Sequence, residues 1–177
     1  NTDTYSPDSK KIHIEIDPSE INRNVTVDIA LIGDLKFVIN TLLPYIIEKK
    51  NKKWLDKISN WTIESKSRDI TNSDTDMLYG AQVISDLWKE TNGNAIVVSD
   101  VGQHQMLEAQ YYKHDEPNTL LTSGGLGTMG FSLPAAIGAS FVDRGKDIWV
   151  IVGDGSIQMT ITELATAVQE NANIKIA

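Results

Sequence analysis

The chain contains no cysteine, which excludes a disulfide framework and any thiolate metal site. A reducing compartment suits such a chain without being required by it. Long apolar runs are missing too. None approaches the roughly 18 residues that a membrane-spanning helix needs, and no signal peptide opens the sequence. Basic residues are outnumbered, 16 Lys and Arg against 24 Asp and Glu, for a net charge of −8. That balance argues against nucleic acid as a partner. The one basic run, Lys49-Lys50-Asn51-Lys52-Lys53, is better explained as a solvated connector than as a binding patch. Neither an internal repeat nor a low-complexity segment is evident. With no initiator methionine at its start, the sequence is expected to be a fragment. What remains is an ordinary globular composition, 41% hydrophobic in 177 residues, enough for one full domain or pieces of two.

Local patterning predicts an α/β chain. Residues 11–16, KIHIEI, alternate apolar and polar and predict a strand. Asp17-Pro18-Ser19-Glu20 follows as a turn, with Pro18 opening a short helical turn. A second strand is expected over 25–31. Asp34, after Gly33, suits the N-cap of an amphipathic helix whose apolar face is Leu35, Val38, Ile39, Leu42 and Leu43. This βαβ-like unit has no sheet of its own to join, so it is expected to be the tail of a domain. Residues 44–75 suit a connector, with Pro44, the lysine run and the polar stretch 64–75. Trp54, Leu55, Ile58 and Trp61 have helical spacing there and are expected to pack a linker helix onto a neighbour.

From Asp76 a second α/β unit begins. It reads as a helix near 77–91, a strand at 95–99, a helix over 103–112, a short strand at 119–121 and a glycine-rich loop. Ser132 then suits the cap of a helix with Pro134 in its first turn. Ala135, Ala136, Gly138 and Ala139 give that helix a small face for close packing on a sheet. The apolar run 148–152 predicts a fully buried parallel strand, and another strand starts at Ile174.

The organising stretch is 147–170, DIWVIVGDGSIQMTITELATAVQE. Its strand stops at Gly153-Asp154-Gly155, and the following helix carries Thr160-x-x-Glu163 ahead of Leu164, the form of a capping box. Asp154 is thereby placed at the carboxyl end of a strand, where open α/β sheets bind ligands. Backbone N–H groups in such a turn can hold phosphate oxygens, and a carboxylate beside them suits a bridging Mg²⁺. Taken alone, the turn is equally well a tight bend with a solvated carboxylate. Asp100-Val101-Gly102 ends the other apolar strand, followed by Gln103 and His104, whose side chains could meet a diphosphate. His104 is alternatively a satisfied surface or core histidine. Between these two strand ends lies Gly124-Gly125-Leu126-Gly127-Thr128-Met129-Gly130, which lets backbone approach a ligand closely or is an ordinary flexible loop. In a parallel sheet all three segments would converge on one edge.

GDGSIQMTITELATAVQ at 153–169, VSDVGQHQM at 98–106 and SGGLGTMGFSLPAAIGA at 123–139 together resemble the catalytic subunits of acetolactate synthases, a family of thiamine diphosphate (ThDP) enzymes. The three motifs lie in the family's order and spacing, and the resemblance covers nearly the whole chain. It implies a truncated ThDP-binding fold, a parallel sheet flanked by helices, at 76–177, incomplete at its C-terminus. A linker at 49–75 and the C-terminal part of a central domain at 1–48 would precede it. It further implies decarboxylation of pyruvate and carboligation to pyruvate or 2-ketobutyrate in branched-chain amino acid biosynthesis. Other ThDP decarboxylases and carboligases, such as glyoxylate carboligase, and a non-catalytic diphosphate-binding module remain as alternatives.

The resemblance also assigns roles. Asp154 would ligate Mg²⁺, and Gly155 and Ser156 would bind the diphosphate through backbone N–H groups. Val101, Gly102, Gln103 and His104 would line the diphosphate and thiazolium side. The Gly127 carbonyl would accept from the aminopyrimidine, Met129 would wedge under the thiazolium, and Met159 would line the pocket. Glu15, Ile16, Gly33 and Asp34 match positions that contact the adenine end of FAD, although the same pattern recurs in relatives that bind none. Two-keto-acid substrates, a cytoplasmic location, and a homodimer or homotetramer with a regulatory subunit complete the expectation. The family's Asn-Asn, whose first Asn ligates Mg²⁺, would lie just beyond Ala177, and the activating glutamate belongs to a domain outside this stretch. The isolated chain is therefore expected to be inactive.

Overall fold

The computed structural model describes residues 2–72, 76–142 and 145–177. Residues 73–75, the end of the expected connector, lie outside them. The chain divides into two compact units, Asn1–Ile58 and Ser59–Ala177. Among the described residues no helix is long and apolar enough to cross a membrane.

In the first unit, β1 (Ile12–Glu15) and β2 (Ile29–Ile32) pair in parallel, with Ile12 opposite Ile29 and Glu15 opposite Ile32. The second strand is shorter than expected and starts at Ile29. Asn22, at φ +62°, accepts the Val27 N–H on Oδ1 at 2.9 Å, and the Asp28 carboxylate accepts the Lys11 N–H at 2.8 Å. These side-chain bonds offer the backbone an alternative to the sheet ladder. The crossover between the strands holds only the 3₁₀ turn Pro18–Glu20, started by the Ser19 N–H donating to Asp17 at 2.8 Å. So the unit is not βαβ, and its two strands make a small sheet of their own. The helix α1 (Leu35–Leu42) follows β2, and Asp34 caps it as expected, accepting from the Phe37 N–H at 2.9 Å. The expected connector is largely a helix, α2 (Lys52–Ser67). Its Trp54, Leu55, Ile58 and Trp61 are exposed rather than packed away.

The second unit runs α3 (Gly80–Thr91), β3 (Ala95–Ser99), α4 (Gln103–Tyr111), β4 (Leu120–Thr122), α5 (Ser132–Val142), β5 (Asp147–Ile151), α6 (Asp154–Thr160), α7 (Glu163–Gln169) and β6 (Ile174–Ile176). The four strands are parallel in the order β4-β3-β5-β6. All five residues of β3 are buried, because helices cover both faces of the sheet and every second side chain meets one of them. On one face Val97 and Ile151 pack with Ile84, Leu87 and Tyr112. On the other, Ile96, Val98, Ile148 and Val150 pack with Ala136 of α5. Each such buried aliphatic side chain contributes about 1.5–3 kcal/mol by leaving water. Leu133 and Ile137 of α5 form a further cluster with Ala167 of α7. Gly138 is not part of the packing face: a methyl group there would meet nothing within 4 Å.

The strand order decides where a ligand can sit. From β3 the chain passes to β4 on one side, while from β5 it passes to β6 on the other. The carboxyl ends of β3 and β5 therefore flank a topological switch point, the place where doubly wound sheets open a crevice.

Candidate functional site

Three segments meet at this edge. Ser99 is paired with both Thr122 and Ile151, so β3, β4 and β5 end level with one another. Beyond β3 come Asp100, Val101 and Gly102, then Gln103 and His104 opening α4. Gly102 has φ +157°, and a methyl group on it would lie 2.7 Å from the His104 ring. Only glycine fits there. The imidazole also covers Gly153 across the crevice, 3.2 Å from where a methyl group would be. His104 Nε2 is buried without a hydrogen-bond partner. Burial holds this imidazole below its ordinary range, against the opposing pull of the Asp100 charge and carbonyl. The ring is thus held from the Asp100 side, with Nε2 left without a partner among the described residues.

Asp154 is the first residue of α6, exposed at the end of β5. Among the described residues its carboxylate has no partner. The neighbouring Ser156 is buried, and its hydroxyl donates to the Val101 carbonyl at 3.3 Å, fastening the first turn of α6 to the end of β3. Its backbone N–H remains available to a ligand, as do those of Asp154 and Gly155, since the first N–H groups of a helix lack helical partners.

The glycine-rich loop closes the third side. Gly127 has φ +63° and lies beside Val101, and its N–H donates to the Ser123 carbonyl at 2.9 Å. Met129 is half-exposed, with Cε 3.7 Å from where a methyl group on Gly155 would be. Met159 lies against Gly130. Thus Val101, Gly102, Gln103, His104, Gly127, Met129, Asp154, Gly155, Ser156 and Met159 all gather on one edge. Glu15, Ile16, Gly33 and Asp34 gather separately, in the first unit, at the carboxyl ends of β1 and β2. There the Gly33 N–H donates to the Glu15 carbonyl at 2.9 Å, and Glu15 Oε1 accepts from the N–H groups of Ile16 and Asp17.

Two local expectations are corrected here. Ser132 does not cap α5: its hydroxyl and N–H donate to Asp100 Oδ2 at 2.7 and 2.8 Å. The capping box at Thr160 and Glu163 does not form either: Thr160 is the last residue of α6 and Glu163 the first of α7. Instead the Thr160 hydroxyl donates to the Gly130 carbonyl at 3.1 Å, and Glu163 accepts from Thr166. Ser132 and Thr160 were thus drawn away from local capping by partners about 30 residues distant.

The residue that sequence reasoning passed over is Asp100. It is fully buried, and it accepts from the N–H groups of Val101 and Gly130 as well as from Ser132. Burial alone would raise its pKa, but the Ser132 hydroxyl and the three backbone donors together hold it below the ordinary carboxylate value. Its only signal in the sequence is an acid at the end of an apolar strand, where an unpaired charge could not be buried.

Residues 100–177 match a family model described as thiamine pyrophosphate enzyme, C-terminal TPP binding domain. The chain is 41% identical over 183 residues to the acetolactate synthase large subunit of Buchnera aphidicola subsp. Schlechtendalia chinensis, covering 99% of this chain and 32% of that protein. It is 42% identical over 174 residues to the acetolactate synthase isozyme 3 large subunit of Escherichia coli strain K12, covering 96% and 30%. A large subunit from Corynebacterium glutamicum is 42% identical over 183 residues, covering 100% and 29%. Over nearly its whole length the chain is similar to acetolactate synthase large subunits. It spans about a third of the length of these relatives. The family match begins at Asp100, so it takes in residues 101–159 of the edge described above, and the parallel sheet flanked by helices is consistent with an α/β ThDP-binding fold.

Proposed function

We propose that this chain holds the diphosphate end of thiamine diphosphate, through Mg²⁺, in an acetolactate synthase large subunit. The observation that carries the reading is Asp154: an unpartnered carboxylate at a sheet switch point, ringed by unengaged N–H groups. Among the described residues no group of three His, Asp or Glu could hold a metal alone. That fits Mg²⁺, which is commonly held by one or two carboxylates together with phosphate oxygens and water. The N–H groups of Gly155 and Ser156 and the orphaned His104 Nε2 supply donors for the diphosphate. Val101, Gly102 and Gln103 would form its wall, the Gly127 carbonyl would accept from the aminopyrimidine, and Met129 and Met159 would give an apolar surface beneath the ring system.

When bound, the cofactor supplies the electron sink for decarboxylation of a 2-keto acid, and the protein supplies shape and electrostatics. The reaction is decarboxylation of pyruvate and transfer of the two-carbon unit to pyruvate or 2-ketobutyrate. The relatives are named large subunits, which supports a smaller partner, read here as regulatory; a self-associating catalytic subunit and a cytoplasmic site of action belong to the same reading of the intact protein. FAD is assigned to the first unit, at Glu15, Ile16, Gly33 and Asp34. Asp34 keeps one oxygen beyond its cap for a ligand, while Glu15 Oε1 is engaged by backbone.

Calorimetric titration of the intact protein with ThDP and Mg²⁺ tests the reading. Asp154→Ala should bind no cofactor at concentrations that saturate the unsubstituted protein, with unfolding stability changed by less than about 0.5 kcal/mol because the side chain is exposed. Unchanged affinity would remove Asp154 from the metal site.

A further inference from the structure

Met129 is flanked by fastenings. On its amino side the Thr128 N–H donates to Ser123 Oγ at 3.1 Å. On its carboxyl side Gly130 is held twice: its N–H donates to Asp100 Oδ1 at 3.0 Å, and its carbonyl accepts from Thr160 at 3.1 Å. Asp100 Oδ1 also accepts from the Val101 N–H at 2.8 Å, and Oδ2 takes both the N–H and the hydroxyl of Ser132. Four donors on one ionised carboxylate engage about all of its lone-pair sites. Three of these donors, one at Gly130 and two at Ser132, lie 30 and 32 residues downstream in the chain. Gly130 has no alternative seat. It is at φ +85°, and a methyl group on it would lie 3.1 Å from both Met159 Cβ and Thr160 Cγ2.

We propose that Asp100 is a positioning residue for the reaction, setting the placement of Met129 against the first turn of α6 by pinning Gly130 and Ser132 to the end of β3. The inference rests on the reading of Met129 as the apolar surface under the cofactor. Asp100 is fully buried beneath the loop, so it acts through Met129. A charge without water is tolerable only where its hydrogen bonds are complete. The carboxylate therefore ties three conditions together: strand end, loop and helix start must all be in place for the anion to be satisfied. A loop this rich in glycine would otherwise leave Met129 free to drift, and displacement of a positioning group by about 1 Å can cost a hundredfold in rate.

Asp100→Asn keeps the shape and removes the charge. A carboxamide has one acceptor oxygen, so its NH₂ must face either the Val101 and Gly130 N–H pair or the Ser132 N–H, and at least one fastening is lost. In the intact protein with saturating ThDP and Mg²⁺, Asp100→Asn should lower kcat by about tenfold or more while KM and cofactor affinity move less than about threefold. In a Met129→Ala background the same change should cost less than about twofold, since coupled residues are not additive. Without cofactor, amide exchange at Gly130 and Ser132 should quicken while that of α6 is unchanged. Equal losses from Asp100→Asn in both backgrounds, cofactor affinity falling as far as kcat, or unaltered exchange at Gly130 would each overturn the proposal. Should Asp100→Asn fail to fold, Ser132→Ala removes one of the four bonds, and the same coupling to Met129→Ala decides: a non-additive loss supports the proposal and an additive one overturns it. Met129→Ala with unchanged kcat would instead refute the wedge reading itself.

Discussion

Gly33 follows β2 at φ +158° and Gly102 follows β3 at φ +157°, and each leads into a helix, α1 in one unit and α4 in the other. The local chemistry is nearly the same: apolar strand, extended glycine, polar residue, helix. What surrounds it differs. After Gly33 the acid is Asp34, and its carboxylate turns back on its own helix as a cap. Before Gly102 the acid is Asp100, and its carboxylate turns inward to hold residues 30 and 32 positions away. No residue from 2 to 58 is buried, whereas β3 is buried along its whole length. A two-stranded sheet has too little area to bury a side chain by itself. A four-stranded sheet covered on both faces can bury even a carboxylate, provided the donors come with it. Long-range fastening, and with it a shaped ligand edge, is available only in the second case.

The largest test of that contrast is a matched pair of truncations. Ile148→Ala, in the buried strand β5, should cost about 2–5 kcal/mol of stability, a methylene loss plus a cavity. Ile29→Ala, on the small sheet at 51% exposure, should cost less than about 1 kcal/mol. Urea unfolding of the two variants checks this, and comparable losses would erase the distinction.

A pair of glycine substitutions sharpens it further. Gly102→Ala must distort both the backbone and the buried His104 ring, and should cost about 1–3 kcal/mol together with cofactor affinity. Gly33→Ala carries the same backbone strain, at φ +158°, and meets the tip of Val38 at 3.2 Å, but should leave ThDP binding unchanged. Thermal melts beside calorimetric titration separate the two, and loss of cofactor affinity in Gly33→Ala would contradict the assignment of the site to the second unit.

The smallest effect is one of pH. His104 titrates below its ordinary 6.5 because it is buried, so the unfolded chain takes up this proton more readily than the folded one. Stability therefore rises with pH up to about that value and declines as pH falls below it. His104→Gln should flatten this limb, as read from unfolding free energies at a series of pH values. A limb as steep as in the unsubstituted protein would mean that His104 does not stay neutral on folding.

Most of the elements were legible because their signals are local. The strands at 95–99 and 148–152 show as apolar runs, α1 as a capped amphipathic pattern, and the shared sheet edge as three glycine-bearing motifs. The exceptions share a cause. The expected start of β2 at Val25, the cap at Ser132 and the capping box at Thr160 were each displaced by a partner distant in sequence: Lys11 for the first, Asp100 for the second, Gly130 for the third.

The sequence by itself determined that the second unit would be a parallel α/β layer with a free carboxylate at Asp154, because periodicity, glycine and capping preferences act within a few residues. Only the tertiary structure decided that β3 and β5 would be neighbours, that the crevice would open between them, and that His104 would lie over Gly153 with one nitrogen unpartnered. It also decided which carboxylate would stay exposed and which would be consumed in holding the loop. Asp154 and Asp100 are chemically identical and both end a strand. Burial separates them, and burial is a property of the packed sheet and its helices, which no single stretch of sequence contains.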